Sequence, residues 1–327
     1  TDVMPPRIEA GLKNAGITTL HGEARFTGPD TIEINGQLLR SLNFHIATGA
    51  RPMTLNIPGE DLLTTSTDFL ALPEKPQRIA FVGGGFIAME FAHIANRAGA
   101  AEVTVLEMMK RPLGNFDPDL VNLLVEATED LGIDLKTEAK VLSIEESGKT
   151  FVVTYESSSG KEQIICDLVV HATGRVPNID GLNLKAANVD FGPRGIKVSP
   201  YMRTTNPAIF AAGDCADSGP NLTPVSANEA RIAGKNLLAG KDERAVNYPP
   251  IPSVVFTLPQ LATVGLSEAA AREQNLAFDV HFEKTDDWYS SLRVGAKRTA
   301  FKVLVEKETG LILGAHLMGP GAEEQIN

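Results

Sequence analysis

The pattern of apolar and polar positions changes abruptly at residues 79–99. Ile79-Ala80-Phe81-Val82 is an unbroken apolar run, short enough for a buried strand, and Gly83-Gly84-Gly85 interrupts it. Apolar residues return with helical spacing at Ile87, Phe91, Ile94 and Ala98, and Gly99 stops them. The stretch predicts a strand, a tight turn and a helix. A second apolar run at 103–106 predicts the next strand and ends on Glu107. Asp117 reads as an N-cap with Pro118 at the first helical position. Leu120, Leu123, Leu124, Ala127 and Leu131 then mark one helix face, up to Gly132. Strands are predicted around 135, 141–144, 151–155 and 164–170, with Ser157-Ser158-Ser159-Gly160 as a hairpin loop.

The flanks are more broken. Residues 8–12 suggest the end of a helix, and short strands follow near 18–20, 23–26 and 31–34, with Asn35-Gly36 as a hairpin turn. So short a run of strands buries too little apolar surface to stand alone. Later, residues 208–212 predict a strand that runs into Gly213-Asp214. Leu222-Thr223-Pro224-Val225 opens a helix through Ala227, Ala230, Ile232, Ala233 and Leu237. From Tyr248 the character changes: strands at 253–256 and 262–264, an N-cap at Ser267, then strands at 278–282, 301–305 and 311–318 as an antiparallel meander. Residues 319–327 read as the first turn of a helix cut short. Two strand ends echo each other, Ala47-Thr48-Gly49-Ala50-Arg51-Pro52 and Ala172-Thr173-Gly174-Arg175-Val176-Pro177. The echo suggests two related folds that meet at two chain crossings.

Composition narrows the picture. The 327 residues carry 30 basic and 41 acidic side chains, a net charge of −11 with no basic block, which argues against a nucleic-acid partner. No apolar run is long enough to span a membrane. Cys166 and Cys215 form neither a disulfide framework nor a metal-ligand spacing and read as small buried residues, so a cytoplasmic location is the default. His45 and His171 sit at strand ends before Thr-Gly and read as packed histidines. Trp288 reads as an interface anchor or as a channel lining.

The glycine turn carries the chemistry. Gly83, Gly85 and Ala88 give it the form G-x-G-x-x-A. Gly83 permits the turn, Gly85 lets the backbone approach a diphosphate, and Ala88 lets the helix lie close to the strand. The helix N-terminus offers free N–H groups to phosphate oxygens. Glu107 ends the following strand, where a carboxylate accepts the ribose hydroxyls of an adenosine and repels a 2′-phosphate. That favours NAD. Lys110 and Arg111, just beyond, keep NADP open.

As an ordered set these stretches resemble the pyridine nucleotide–disulfide oxidoreductases, which include glutathione reductase, mercuric reductase and dihydrolipoyl dehydrogenase. The matching stretches are 47–52, 82–92, 172–175, 211–214, 222–225, Phe256-Thr257-Leu258-Pro259 and Val264-Gly265-Leu266-Ser267-Glu268. The resemblance implies an α/β fold of two nested Rossmann-like domains and an α+β dimerisation domain, incomplete at both ends. Residues 1–52 and 176–247 would belong to an FAD domain, 53–175 to an NAD(P) domain, and 248–327 to the dimerisation domain. By the same resemblance, Gly83, Gly84, Gly85, Phe86, Ile87, Glu90, Glu107, Val141 and Gly174 would meet NAD, with Glu90 near the nicotinamide–flavin contact. Ala24, Thr48, Gly49, Asp214 and Thr223 would meet FAD. The implied chemistry passes a hydride from the nicotinamide to the flavin and on to a disulfide or similar small acceptor, in a homodimer.

Three family features do not appear in the sequence. No glycine fingerprint precedes residue 47, neither cysteine has a partner at C-x-x-x-x-C spacing, and no His–Glu pair closes the chain. The expectation is therefore a fragment with no catalytic residue of its own, holding FAD weakly. Two other readings stand beside it: a flavoprotein without a redox disulfide, such as a transhydrogenase or NADH oxidase-like enzyme, and a non-catalytic NAD-binding module.

Overall fold

A computed structural model describes residues 3–327. The chain folds into two compact units, each assembled from two stretches of sequence. One comprises residues 1–51 and 175–248, the other 52–174 and 249–327.

In the second unit the predicted strand, turn and helix are Arg78–Val82, the glycines, and Phe86–Arg97. Arg78–Val82 lies inside a four-stranded parallel sheet between Leu168–His171 and Glu102–Leu106, with Asp134–Lys136 at the edge. Its near-continuous burial explains why it reads as an apolar run rather than an alternation. Ile79, Phe81, Val103, Val105 and Val170 pack on Ala88, Ala92 and Ala95 of the helix. On the other face, Ala80, Val82, Leu106 and Val169 pack on Ile144, Val153 and Tyr155 of a three-stranded antiparallel sheet. Each large side chain so buried contributes about 1.5–3 kcal/mol.

Two expectations change here. The helix buries Ala88, Met89, Ala92, His93 and Ala95, whereas Ile94, expected on its inner face, is exposed. Small residues face the sheet because the helix lies close to it. The apolar stretch 164–170 is two strands rather than one, Gly160–Cys166 and Leu168–His171, in different sheets. Asp167 divides them, its carboxylate accepting from the Arg78 backbone N–H (2.9 Å) and guanidinium (2.6 Å).

The same unit holds a five-stranded antiparallel sheet whose last three strands, Phe278–Lys284, Ala300–Glu306 and Ile312–Met318, form the predicted meander. Leu123 and Leu124 of the helix Pro118–Asp130 pack with Val255, Leu261 and Met318 of this sheet. Lys302 fastens the same junction. Its ammonium lies 3.0 Å from Asp117, 2.7 Å from Asp119 and 2.7 Å from Glu268.

The first unit opens with the helix Met4–Asn14, then the strands Ala24–Gly28, Thr31–Ile34 and Gln37–Arg40. Asn35 and Gly36 both take positive φ, the form of a tight hairpin turn. The strand expected near 18–20 is not formed; that segment is a loop with no ladder partner among the described residues. Phe44–Ile46 pairs in parallel with Ile209–Ala211, around a core of Phe26, Ile46, Ile196, Ile209 and Ala211.

Candidate dinucleotide and flavin sites

All nine residues expected at NAD fall in the second unit and all five expected at FAD in the first. In the second unit, parallel pairing of Arg78–Val82 with Glu102–Leu106 sets Gly83 beside Leu106, and the Gly83 N–H donates to the Leu106 carbonyl at 2.8 Å. Gly83 has φ of 103°, and a Cβ there would lie 2.5 Å from the Ala172 carbonyl oxygen, so the position admits only glycine. Gly85 differs: a Cβ there would meet nothing nearer than that same oxygen at 3.8 Å, so its free side is open. It is the N-cap of the helix Phe86–Arg97, and no side chain caps that end. The first-turn N–H groups are left for an external acceptor, which fits a diphosphate.

Glu107 is 8% exposed. One carboxylate oxygen accepts from the Gly84 N–H at 2.5 Å, and the other from the Met109 N–H at 2.6 Å. Arg111, a candidate for a 2′-phosphate, instead donates to the carbonyls of Phe116 (2.9 Å) and Gly114 (3.2 Å), whereas Lys110 is exposed. Gly174 has φ of 128° and follows the strand end that abuts Gly83. Val141 packs its side chain into the core with Val82 and Leu106. Phe86 is exposed at the helix start and Ile87 half-buried.

Glu90, one turn further, accepts from the Phe256 N–H at 3.0 Å, and burial raises its carboxyl pKa. His93 works beside it. Its Nδ1 accepts from the Leu258 N–H at 3.2 Å, and its Nε2 lies 3.0 Å from the Thr128 hydroxyl. That hydroxyl donates to the Leu124 carbonyl, so Nε2 carries the proton and the ring is neutral. Burial pushes the His93 pKa down to about 4. Sequence reasoning passed over His93, which stands in no motif. Its signal is a histidine on the buried stripe of a helix.

In the first unit, parallel pairing brings two strand ends together. The Ala212 N–H donates to the Ile46 carbonyl at 3.2 Å, which sets Thr48-Gly49 and Gly213-Asp214 at one end of the pair. Gly49 has φ of 67°. One Asp214 oxygen receives only a 3.4 Å contact from the Ser226 hydroxyl. Thr223 starts the helix Thr223–Ala239, whose N-terminus also lacks a side-chain cap. An open carboxylate beside an uncapped helix end fits a hydroxyl-bearing chain that ends in an electron-rich ring. Ala24 begins the hairpin strand opposite Ile34 and is placed by that sheet.

Glu229 was also missed. It is 1% exposed and holds the Asp214 turn, accepting from the Gly213 N–H (2.8 Å), the Gly219 N–H (3.2 Å) and the Tyr248 hydroxyl (2.6 Å). Burial and this carboxylate raise the Tyr248 pKa to about 12. Burial pushes the Cys166 thiol up to about 11, and Cys215 is enclosed, its thiol donating to main-chain carbonyls. Both thiols are buried, out of reach of a small acceptor. His171 is a strut, its Nε2 2.7 Å from the Met53 carbonyl.

Residues 2–230 match the family described as pyridine nucleotide-disulphide oxidoreductase, and residues 251–327 match its dimerisation domain. The chain belongs to this family, as its motifs imply. It is 34% identical over 318 residues to a mercuric reductase of Bacillus cereus, covering 96% of this chain and 50% of that protein. It is 34% identical over 316 residues to a glutathione reductase of Burkholderia cepacia, covering 96% and 69%. Among solved structures, the HOCl-induced flavoprotein disulfide reductase RclA from Escherichia coli superposes with a TM-score of 0.88 at 27% identity, covering 98% of this chain and 74% of that one. The chain thus spans between half and three quarters of the length of these relatives.

Proposed function

We propose that the chain serves nicotinamide- and flavin-dependent reduction of a disulfide or similar small acceptor. The observation that carries this reading is the glycine turn, open at Gly85, with an uncapped helix behind it and a seated carboxylate at the next strand end. The nicotinamide and flavin supply hydride chemistry when bound. The chain's own part is to hold them. Gly83, Gly84, Gly85, Phe86 and Ile87 receive the diphosphate, with Glu107 on the adenosine side, and Glu90, Val141 and Gly174 line the remainder. Ala24, Thr48, Gly49, Asp214 and Thr223 hold the flavin. NADH is preferred over NADPH, since Arg111 is engaged by main-chain carbonyls.

The domain boundaries near 52, 175 and 247 belong to the same reading, as does a homodimer through residues 248–327. A cytoplasmic setting accords with a chain in which, among the described residues, no helix is long and apolar enough to cross a membrane. Calorimetric titration of the purified chain with NADH tests the proposal, and saturable one-to-one binding is expected. A chain that takes up neither NADH nor NADPH would sink it. The second reading is a dinucleotide-binding module without flavin chemistry, and every residue it needs lies in one unit. Uptake of NADH with no perturbation of added FAD absorbance would select it.

A further inference from the structure

We propose that Glu107 is a positioning residue for the glycine turn. Its buried carboxylate fixes the backbone of residues 83–85 in the form that receives a dinucleotide's diphosphate, over and above any contact with ribose. The proposal rests on the dinucleotide reading of this site.

Space is the first constraint. A Cβ on Gly84 would lie 2.6 Å from Oε2 of Glu107 and 2.9 Å from its Cβ and Cγ. Gly84 does not take a positive φ, so conformational freedom is not what keeps glycine there. The fingerprint G-x-G leaves this middle position open. Here the Glu107 side chain, lying against the turn, closes it.

The hydrogen bonds supply the force. Both carboxylate oxygens accept main-chain N–H groups, Gly84 at 2.5 Å and Met109 at 2.6 Å. Bonds to an ionised acceptor are roughly twice as strong as neutral ones. The Glu107 backbone is itself pinned, its N–H donating to the Lys136 carbonyl at 2.8 Å and its carbonyl accepting from the Ala139 N–H at 2.9 Å. The carboxylate therefore has a fixed base to pull from. The other side of the Gly84 peptide is tied down as well, since its carbonyl accepts from the Leu113 N–H at 2.9 Å. Arg111 holds the loop that carries Leu113 by bonding the Gly114 and Phe116 carbonyls. With Gly84 bound at its N–H and its carbonyl, the chain enters Gly85 and the helix in one orientation.

A glutamine in place of Glu107 offers one acceptor oxygen to two N–H donors, so one of them loses its partner. The test is calorimetric binding of NADH and of NADPH to the full chain, as wild type and as Glu107→Gln, with thermal melting to check the fold. The expected result is a loss of about tenfold or more for both dinucleotides alike. A side chain that only reads ribose predicts otherwise: removing the charge that repels a 2′-phosphate would tighten NADPH while NADH weakens, and that result overturns the proposal. Amide hydrogen exchange at Gly84 gives a second, ligand-free readout, protected in the wild type and accelerated in the variant. Unchanged exchange overturns the brace. If the wild type binds neither dinucleotide, the reading of the site fails, and Gly84 exchange still decides the brace. Should Glu107→Gln not fold, Gly84→Ala pushes the carboxylate away from the opposite side and is expected to weaken both dinucleotides together; a Gly84→Ala chain that binds both as wild type does overturns the proposal.

Discussion

His93 illustrates how one side chain couples burial to pH. The ring is neutral in the folded chain because Nδ1 accepts the Leu258 N–H and burial opposes a second proton. Its pKa falls from 6.5 to about 4. Between those values the unfolded chain binds a proton that the folded chain refuses. The contribution to stability is therefore complete above about pH 6.5 and is lost as pH falls towards 4. A tenfold change in proton affinity corresponds to about 1.4 kcal/mol, so the whole effect is on the order of 3 kcal/mol at most. Denaturant unfolding followed from pH 7 to pH 4.5 should show a shallower decline in His93→Gln than in the wild type. Equal slopes would mean that His93 is not the buried neutral group described here. The residue was silent in the sequence because its acceptor role depends on Leu258, 165 positions away. Glu229 was silent for a similar reason, its partners Gly213, Gly219 and Tyr248 being joined only by the fold. What the sequence does carry is the stripe: Val225, Glu229, Ile232, Ala233 and Asn236 are the buried positions of one helix, and two of them are polar.

At the scale of elements, local rules were legible wherever the cause was local. Asp117 caps its helix through the Asp119 N–H at 3.0 Å, Ser267 caps through the Ala270 N–H at 3.2 Å, and Asn35-Gly36 turns a hairpin. Periodicity failed where sheet membership decides. Residues 164–170 are almost uniformly apolar, yet Asp167 within them is bound by Arg78, and the chain changes sheet there. Lys302 is another element-level joint. Its strand alternates normally, but its side chain is 2% exposed and meets carboxylates from the start of the helix Pro118–Asp130 and from the helix Glu268–Glu273. Burial opposes its charge, and the hydrogen bond to Asp119 with the close carboxylates of Glu268 and Asp117 outweighs that and raises its pKa. Lys302→Met leaves Asp117, wholly buried, without its counter-ion. Breaking one partner of a buried pair costs about 3–5 kcal/mol. The expected outcome is a lower denaturation midpoint with an unchanged slope. A loss under about 1 kcal/mol would show that water reaches Asp117 once the ammonium is gone.

For the whole molecule, a part of the apolar surface left uncovered lies where the dimerisation-domain match falls. Phe256, Leu258, Phe282, Trp288, Tyr289, Leu292, Val294, Leu311 and Ile312 are all more than a third exposed. Tyr289 and Leu292 lie three apart on the short helix Tyr289–Val294 and so share a face. Trp288 stands just before that helix with its ring against Phe301, centroids 5.9 Å apart, which anchors the helix start to the sheet. Exposed aromatic and branched residues on a sheet-backed helix are the kind of surface that homodimers bury. Tyr289→Asp with Leu292→Asp places two charges on that face without touching the core, since Tyr289 is 81% and Leu292 65% exposed. Sedimentation is expected to give a dimer for the wild type and a monomer for the double variant, with melting of the isolated chain little changed. A double variant that remains dimeric would show that this helix face is not the interface. Because Phe256 and Leu258 hang their N–H groups on Glu90 and His93, the same measurement repeated with NADH reports whether dinucleotide and dimer stabilise each other. Tighter NADH binding by the dimer than by the monomeric variant is the expected sign, carried by the helix Phe86–Arg97, which holds the glycine turn at one end and Glu90 and His93 along its length.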